Sequence, residues 1–183
     1  RNEALVELKI FYPLYQSFKQ VDNNQAKDIL SEVESLKKEG DKFYFEEFYF
    51  KSRDSYKKAS ELINGFNDRN RLKVLELIDR AQLAFDLVKL NEAETLIQEG
   101  LSIDPSNSKL LNLNNRITNY QTVTDLISSA KDYSSSNQYS LALQTIDEAI
   151  QVDPERLDAK ETKNIILETS KVYYFDQNLK NAY

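Results

Sequence analysis

Two stretches decide how the chain reads: NEAETLIQEGLSIDP at 91–105 and YSLALQTIDEAIQVDP at 139–154. Aligned on their prolines, Ala93 meets Ala142, Ile97 meets Ile146 and Gly100 meets Ala149. A small, large, small series at helical spacing puts tiny residues where two helices cross and a bulky one in the hole beside them. Both stretches end in Asp-Pro, which stops a helix because the residue before proline is pushed out of the α region. Ser106 or Ser108, and Asp158 with Glu161 three residues on, are the expected caps of the helices that follow.

Working outward, the same periodicity continues. Ile29, Leu30, Val33, Leu36 and Phe43 recur mainly at steps of three or four, as do Val74, Leu77, Ile78, Ala81, Ala84 and Phe85. Leu110, Leu113, Ile117, Tyr120, Val123, Ile127, Ala130 and Tyr133 predict one helix from Ser108 to Tyr133. The polar stretches Asn64 to Asn70 and Ser134 to Gln138 read as turns, and Pro13 is expected to kink or split the first helix. Strand alternation is nowhere sustained. No Pro/Gly/Ser linker divides the chain, which predicts a single all-α domain.

The repeated words resemble the tetratricopeptide (TPR) repeat, a helix-turn-helix unit of about 34 residues with small and aromatic residues at set positions. Residues 74–107 carry Leu77, Ala81, Ala84, Leu90, Ala93, Ile97, Gly100 and Pro105 at those positions. Residues 123–156 carry Leu126, Ala130, Tyr133, Tyr139, Ala142, Ile146, Ala149 and Pro154. A unit at 33–66 shows Leu36, Gly40, Phe43, Tyr49, Ser52, Tyr56 and Ala59, with Asn64 where the proline would stand. The resemblance implies a right-handed TPR-like solenoid of antiparallel helix pairs. An N-terminal helical cap (1–22), an extended helix within 108–156 and a C-terminal helix (158–183) would be added to it. Gly40 and Gly100 are then close-packing positions.

Composition narrows the function. The 183 residues include no Cys, His, Met or Trp, which removes disulfides, thiolate and imidazole metal sites, Cys nucleophiles and Ser-His-Asp triads. With no Met, Arg1 reads as a processed or trimmed end. Lys+Arg number 24 against 30 Asp+Glu, a net charge of -6 that has the wrong sign for tracking phosphate backbones. No apolar run reaches the ~20 residues needed to span a bilayer. Acidic pairs such as Glu46-Glu47 and Asp147-Glu148 read as solvated helix faces, the three isolated glycines cannot form a phosphate loop, and Asp22-Asn23-Asn24 lacks the glycine and distal Glu of a calcium loop. No catalytic residue, cofactor or metal is expected.

The resemblance implies a concave groove along the first helix of each pair. Tyr44, Phe45, Ile78, Phe85 and Ile127 fall at groove positions, interleaved with Lys37, Asp41, Asp79, Gln82, Asp86, Ser128 and Lys131. An apolar floor with scattered polar groups suits a peptide or helix of another protein. Residues 1–20 could instead fill the groove. Asp41, Asp79, Thr124 and Ser128 stand where a carboxylate clamp for chaperone tails would need basic and Asn residues, so that role is not expected. Both termini are apolar, with Leu5 to Phe18 at one end and Ile165 to Phe175 at the other. The expected function is a non-catalytic scaffold that binds a partner segment in the groove and through its terminal helices. The alternative is an assembly protein that self-associates or forms a hetero-complex through its long helix and C-terminal aromatics. The compartment is open: cytoplasmic, or a bacterial periplasm or envelope if an upstream signal or anchor was removed.

Overall fold

The computed structural model describes residues 1–21 and 24–181, and the calcium-loop reading at Asp22 and Asn23 lies outside them. Among the described residues there are eight helices: α1 (Asn2–Phe18), α2 (Asn24–Phe45), α3 (Tyr49–Asp86), α4 (Leu90–Ile103), α5 (Ser108–Thr118), α6 (Tyr120–Ser135), α7 (Tyr139–Val152) and α8 (Leu157–Asn181). The fold is all-α. Its contacts divide into two compact units, Arg1–Glu76 and Leu77–Tyr183, and α3 supplies residues to both.

The polar stretch from Asn64 to Asn70 is helical, and it is the interior of α3 rather than the expected turn. The reason is a stripe that never lapses. Ser52, Tyr56, Ala59, Ile63, Phe66, Val74, Leu77, Ala81 and Ala84 are buried at steps of three or four, with half-buried Asn70 in the one wider gap. Asn64, Asn67, Asp68 and Arg69 lie on the exposed side, where polarity is what a half-buried helix requires. Pro13 likewise leaves α1 in one piece. It is exposed, so the carbonyl deprived of an N–H partner, that of exposed Lys9, can be hydrated.

In the first unit, Phe11 of α1 stacks on Tyr15 and on Tyr56 of α3, with ring centroids 5.4 and 5.8 Å apart, and Phe18 meets Phe66 edge-on at 5.2 Å. Ala26 and Val33 of α2 complete this core. Gly40 is where α2 and α3 approach: a Cβ there would stand 2.7 Å from the Tyr56 ring, and Ser52 donates its hydroxyl to the Gly40 carbonyl at 2.9 Å.

In the second unit, Gly100 of α4 plays the same part against Leu110 of α5, whose Cδ1 would lie 2.6 Å from an added Cβ. Val123, Ile127, Ala130, Tyr139, Ala142, Ile146, Ala149, Ala159 and Ile166 join α6, α7 and α8 in one core. The helix expected from Ser108 to Tyr133 is interrupted at Asn119, whose φ of −92° and ψ of 0° lie at the edge of the helical region. This break lets α5 stay on α4 while α6 packs on α7 and α8. The α5 cap is Asn107, which accepts from the Leu110 N–H at 3.3 Å, in place of the expected serines. Asp158 lies inside the first turn of α8.

Three helix ends close by one device. Glu47, Val88 and Asn137 have φ near +60°. At each, the N–H of the next residue bonds five residues back (Phe48 to Phe43, Lys89 to Ala84, Gln138 to Tyr133), and the left-handed residue bonds three back. This pairing is the Schellman motif, which satisfies carbonyls left over at a helix C-terminus. The left-handed residues are 41 and 49 positions apart, the offsets at which the sequence units begin. The two Asp-Pro turns also match: Asp104 accepts from the Ser106 N–H at 3.3 Å and Asp153 from the Glu155 N–H at 3.1 Å. Asn107 and Ser106 together hold the Asp104 carboxyl below the usual carboxylate range.

Candidate partner-binding groove

The residues singled out in the sequence separate into three settings. Lys37, Asp41 and Tyr44 belong to the first unit and face α1. Lys37 donates to Asp41 at 2.6 Å, Asp41 also accepts the Tyr56 hydroxyl at 2.8 Å, and Arg1 Nε reaches the Tyr44 oxygen at 3.4 Å. The Asp41 carboxylate raises the Lys37 ammonium. Leu8, Tyr12 and Pro13 of α1 share a depression with Lys37 and Asp41. Here the N-terminal helix lies over the predicted groove face. Phe45 stands apart, 86% exposed at the end of α2.

Ile127 is 5% exposed and belongs to the α6–α7–α8 core, because its stripe turns toward those helices. Ser128 and Lys131 are exposed on α6.

Ile78, Asp79, Gln82, Phe85 and Asp86 come together in the second unit. They form one wall of two adjoining open depressions, of about 330 and 480 Å³, that share Gln82, Arg116 and Glu155. The facing wall is Lys109, Asn112, Leu113 and Arg116 of α5, then Tyr120, and it ends at Glu155, Arg156, Leu157 and Asp158 where α7 passes to α8. The floor is built from cations laid on rings. The Arg116 guanidinium lies 4.7 Å from the Phe85 centroid, Arg156 lies 4.4 Å from that of Tyr120, and the two rings meet edge-on at 5.9 Å. Such contacts contribute roughly 0.5–2 kcal/mol each, more where desolvated.

Ion pairs fix both guanidiniums. Arg116 donates to Asp153 at 3.1 Å and to Glu155 at 3.0 Å, and Asn112 adds a bond to Glu155 at 3.0 Å. Asp153 is only 2% exposed, and its carboxyl oxygens are met there by Arg116 and the Glu155 N–H. Arg156 donates to Asp158 at 2.8 and 3.2 Å and to the Thr124 hydroxyl at 3.2 Å. The groove is therefore a rigid ledge with exposed apolar edges at Val88 (55%) and Leu157 (70%). Sequence reasoning missed the wall made by Lys109, Asn112, Arg116, Glu155 and Arg156. The sequence carries no local signal for it, since Arg116 and Asp153 are 37 residues apart and meet only in the folded unit. No family model, curated protein or solved structure matches the chain.

Proposed function

We propose that the chain is a non-catalytic TPR-like interaction scaffold and that the groove of its second unit receives a segment of a partner protein. One observation carries this reading. The first helix of a pair presents Ile78, Gln82 and Phe85 to a built but open trough in the second unit, whereas α1 lies over the corresponding face of the first. The three matched turns and the small residues at helix crossings support the repeat part of the proposal. Fixed rings and guanidiniums beside exposed Val88 and Leu157 are what a recognition surface needs: rigid area with little ordering cost. The test is a photo-crosslinking amino acid placed singly at Val88, Leu157, Lys131 and Phe45 of the full chain, in extract of the cells that make it. Adducts at the first two positions that an Ile78→Asp substitution removes are the expected result. Adducts confined to Lys131 or Phe45 would rule the groove out.

A second reading, assembly through α8, rests on a separate observation. Ile165, Val172, Phe175 and Leu179 are 64%, 62%, 67% and 49% exposed on one side of α8, roughly opposite the buried stripe of Ala159, Thr162, Ile166 and Ser170. This side is the part of the chain suited to pairing with another helix.

A further inference from the structure

Charge is divided unequally along the chain. Residues 1–76 carry 14 acidic and 14 basic side chains and residues 77–183 carry 16 and 10, so the whole net charge of -6 belongs to the second unit. Around the groove, Asp79, Asp86, Asp153, Glu155 and Asp158 stand against Lys109, Arg116 and Arg156. The two arginines are already engaged, Arg116 by Asp153 and Glu155 and Arg156 by Asp158. The α3 wall is different. Among the described residues, Asp86 accepts only the Gln82 amide, at 2.8 Å, and neither it nor Asp79 is ion-paired. Seven residues apart, they share one face of α3 with about 10.5 Å of helix between them.

Building on the groove reading above, we infer that the occupant is a basic amphipathic segment of another protein. It sets an apolar side chain against Val88 and Leu157 and two Lys or Arg residues, about 10 Å apart, against Asp79 and Asp86. Seven positions along a helix place two side chains on one face at that spacing. Phosphate-bearing ligands and anionic lipid surfaces carry the wrong sign. The rim carboxylates act by steering and register, while the apolar edges supply burial.

The test is fluorescence anisotropy on the full chain with three labelled synthetic peptides of equal length: a Lys/Leu amphipathic helix, its Glu/Leu counterpart and a leucine-free lysine peptide. The Lys/Leu peptide is expected to bind, more tightly than the lysine peptide, with the Glu/Leu peptide at least about tenfold weaker. Asp79→Asn with Asp86→Asn weakens it by about tenfold. Asp125→Asn with Asp132→Asn removes the same charge from α6 of the same unit and changes affinity by less than about twofold. Equal weakening by both pairs, or tightest binding by the lysine peptide, would mean a diffuse acidic surface and overturn the inference. If the Glu/Leu peptide binds as well and Val88→Asp with Leu157→Asp abolishes both, the basic preference is wrong while the groove stands. If neither amphipathic peptide binds, the preference is overturned and the groove is judged by the cross-links alone.

Discussion

Gly40 and Gly65 both sit in helices, yet their environments demand opposite things of a methyl group. Alanine is favoured over glycine in a helix by about 1 kcal/mol. At Gly65 the nearest atom to an added Cβ is the Arg69 Nη1 at 3.5 Å, so Gly65→Ala should stabilise by about that amount. At Gly40 the Cβ meets the Tyr56 ring at 2.7 and 2.9 Å, and that ring is fixed by the Phe11 stack and by Asp41. Overpacking of this kind costs about 1–3 kcal/mol, which outweighs the propensity gain. Gly40→Ala should therefore lower the urea midpoint while Gly65→Ala raises it. Tyr56 makes a second prediction, in pH. Burial first, then the hydrogen bond to Asp41, push its phenol from 10.0 up to about 12. The folded chain thus holds the proton longer than the unfolded chain. Its contribution is complete below pH 10 and is lost as pH rises from 10 to about 12. Burial raises the Tyr15 phenol as well, with the same sign. Unfolding free energy measured at successive pH values should fall less steeply in Tyr56→Phe than in the parent; equal slopes would show that the Tyr56 proton is not linked to folding.

Among the elements, the three Schellman turns show how far sequence was legible. Small residues at 93 and 100 and their counterparts at 142 and 149 marked the helix crossings, since Gly100 does meet Leu110. The turns themselves were hidden because none of their left-handed positions is glycine; they hold Glu47, Val88 and Asn137. The interior of α3 was misread for a related reason. Asn64 to Asn70 has the composition of a loop, but Ile63, Phe66 and Val74 keep one buried side, and packing overrides composition when the stripe is continuous. The missed wall of the groove was illegible because Arg116 and Asp153 are joined by tertiary contact alone. Left-handed backbone costs an L residue about 1–2 kcal/mol, most for a β-branched side chain and least for Asn. Val88→Gly should then stabilise by on the order of 1 kcal/mol, Glu47→Gly by less and Asn137→Gly by least. Urea midpoints in that order, with unchanged m-values, are the expected outcome; a loss at Val88→Gly would mean that its side chain packs more than its 55% exposure implies.

At the scale of the whole molecule, the two readings differ in the sign of their response to salt. A basic segment meeting Asp79 and Asp86 is held partly by opposite charges, so added salt screens the attraction and weakens binding. Pairing of two copies through α8 brings together surfaces of the same unit, which carries the entire net charge of -6. Glu161 also lies on the apolar side of that helix, one turn before Ile165, while Glu168, between Ile165 and Val172, is paired with Lys171 at 2.7 Å. Salt screens that repulsion, so self-association should strengthen as ionic strength rises. The stripe is also small. Four apolar side chains on one helix offer less than the ~800 Å² per partner of a standard interface, which places any dimer in the weak range. Sedimentation velocity of the full chain between about 1 and 200 µM should therefore show a shift toward dimer that is larger in 0.5 M than in 0.05 M salt. Val172→Asp with Phe175→Asp, two exposed positions, should keep the chain folded by circular dichroism and monomeric throughout. A parent chain that stays monomeric at the highest concentration and salt would end the self-association reading and leave the α8 stripe to a different protein. A dimer that dissolves on adding salt would be held by charge rather than by these side chains, and the substitutions would then leave it intact.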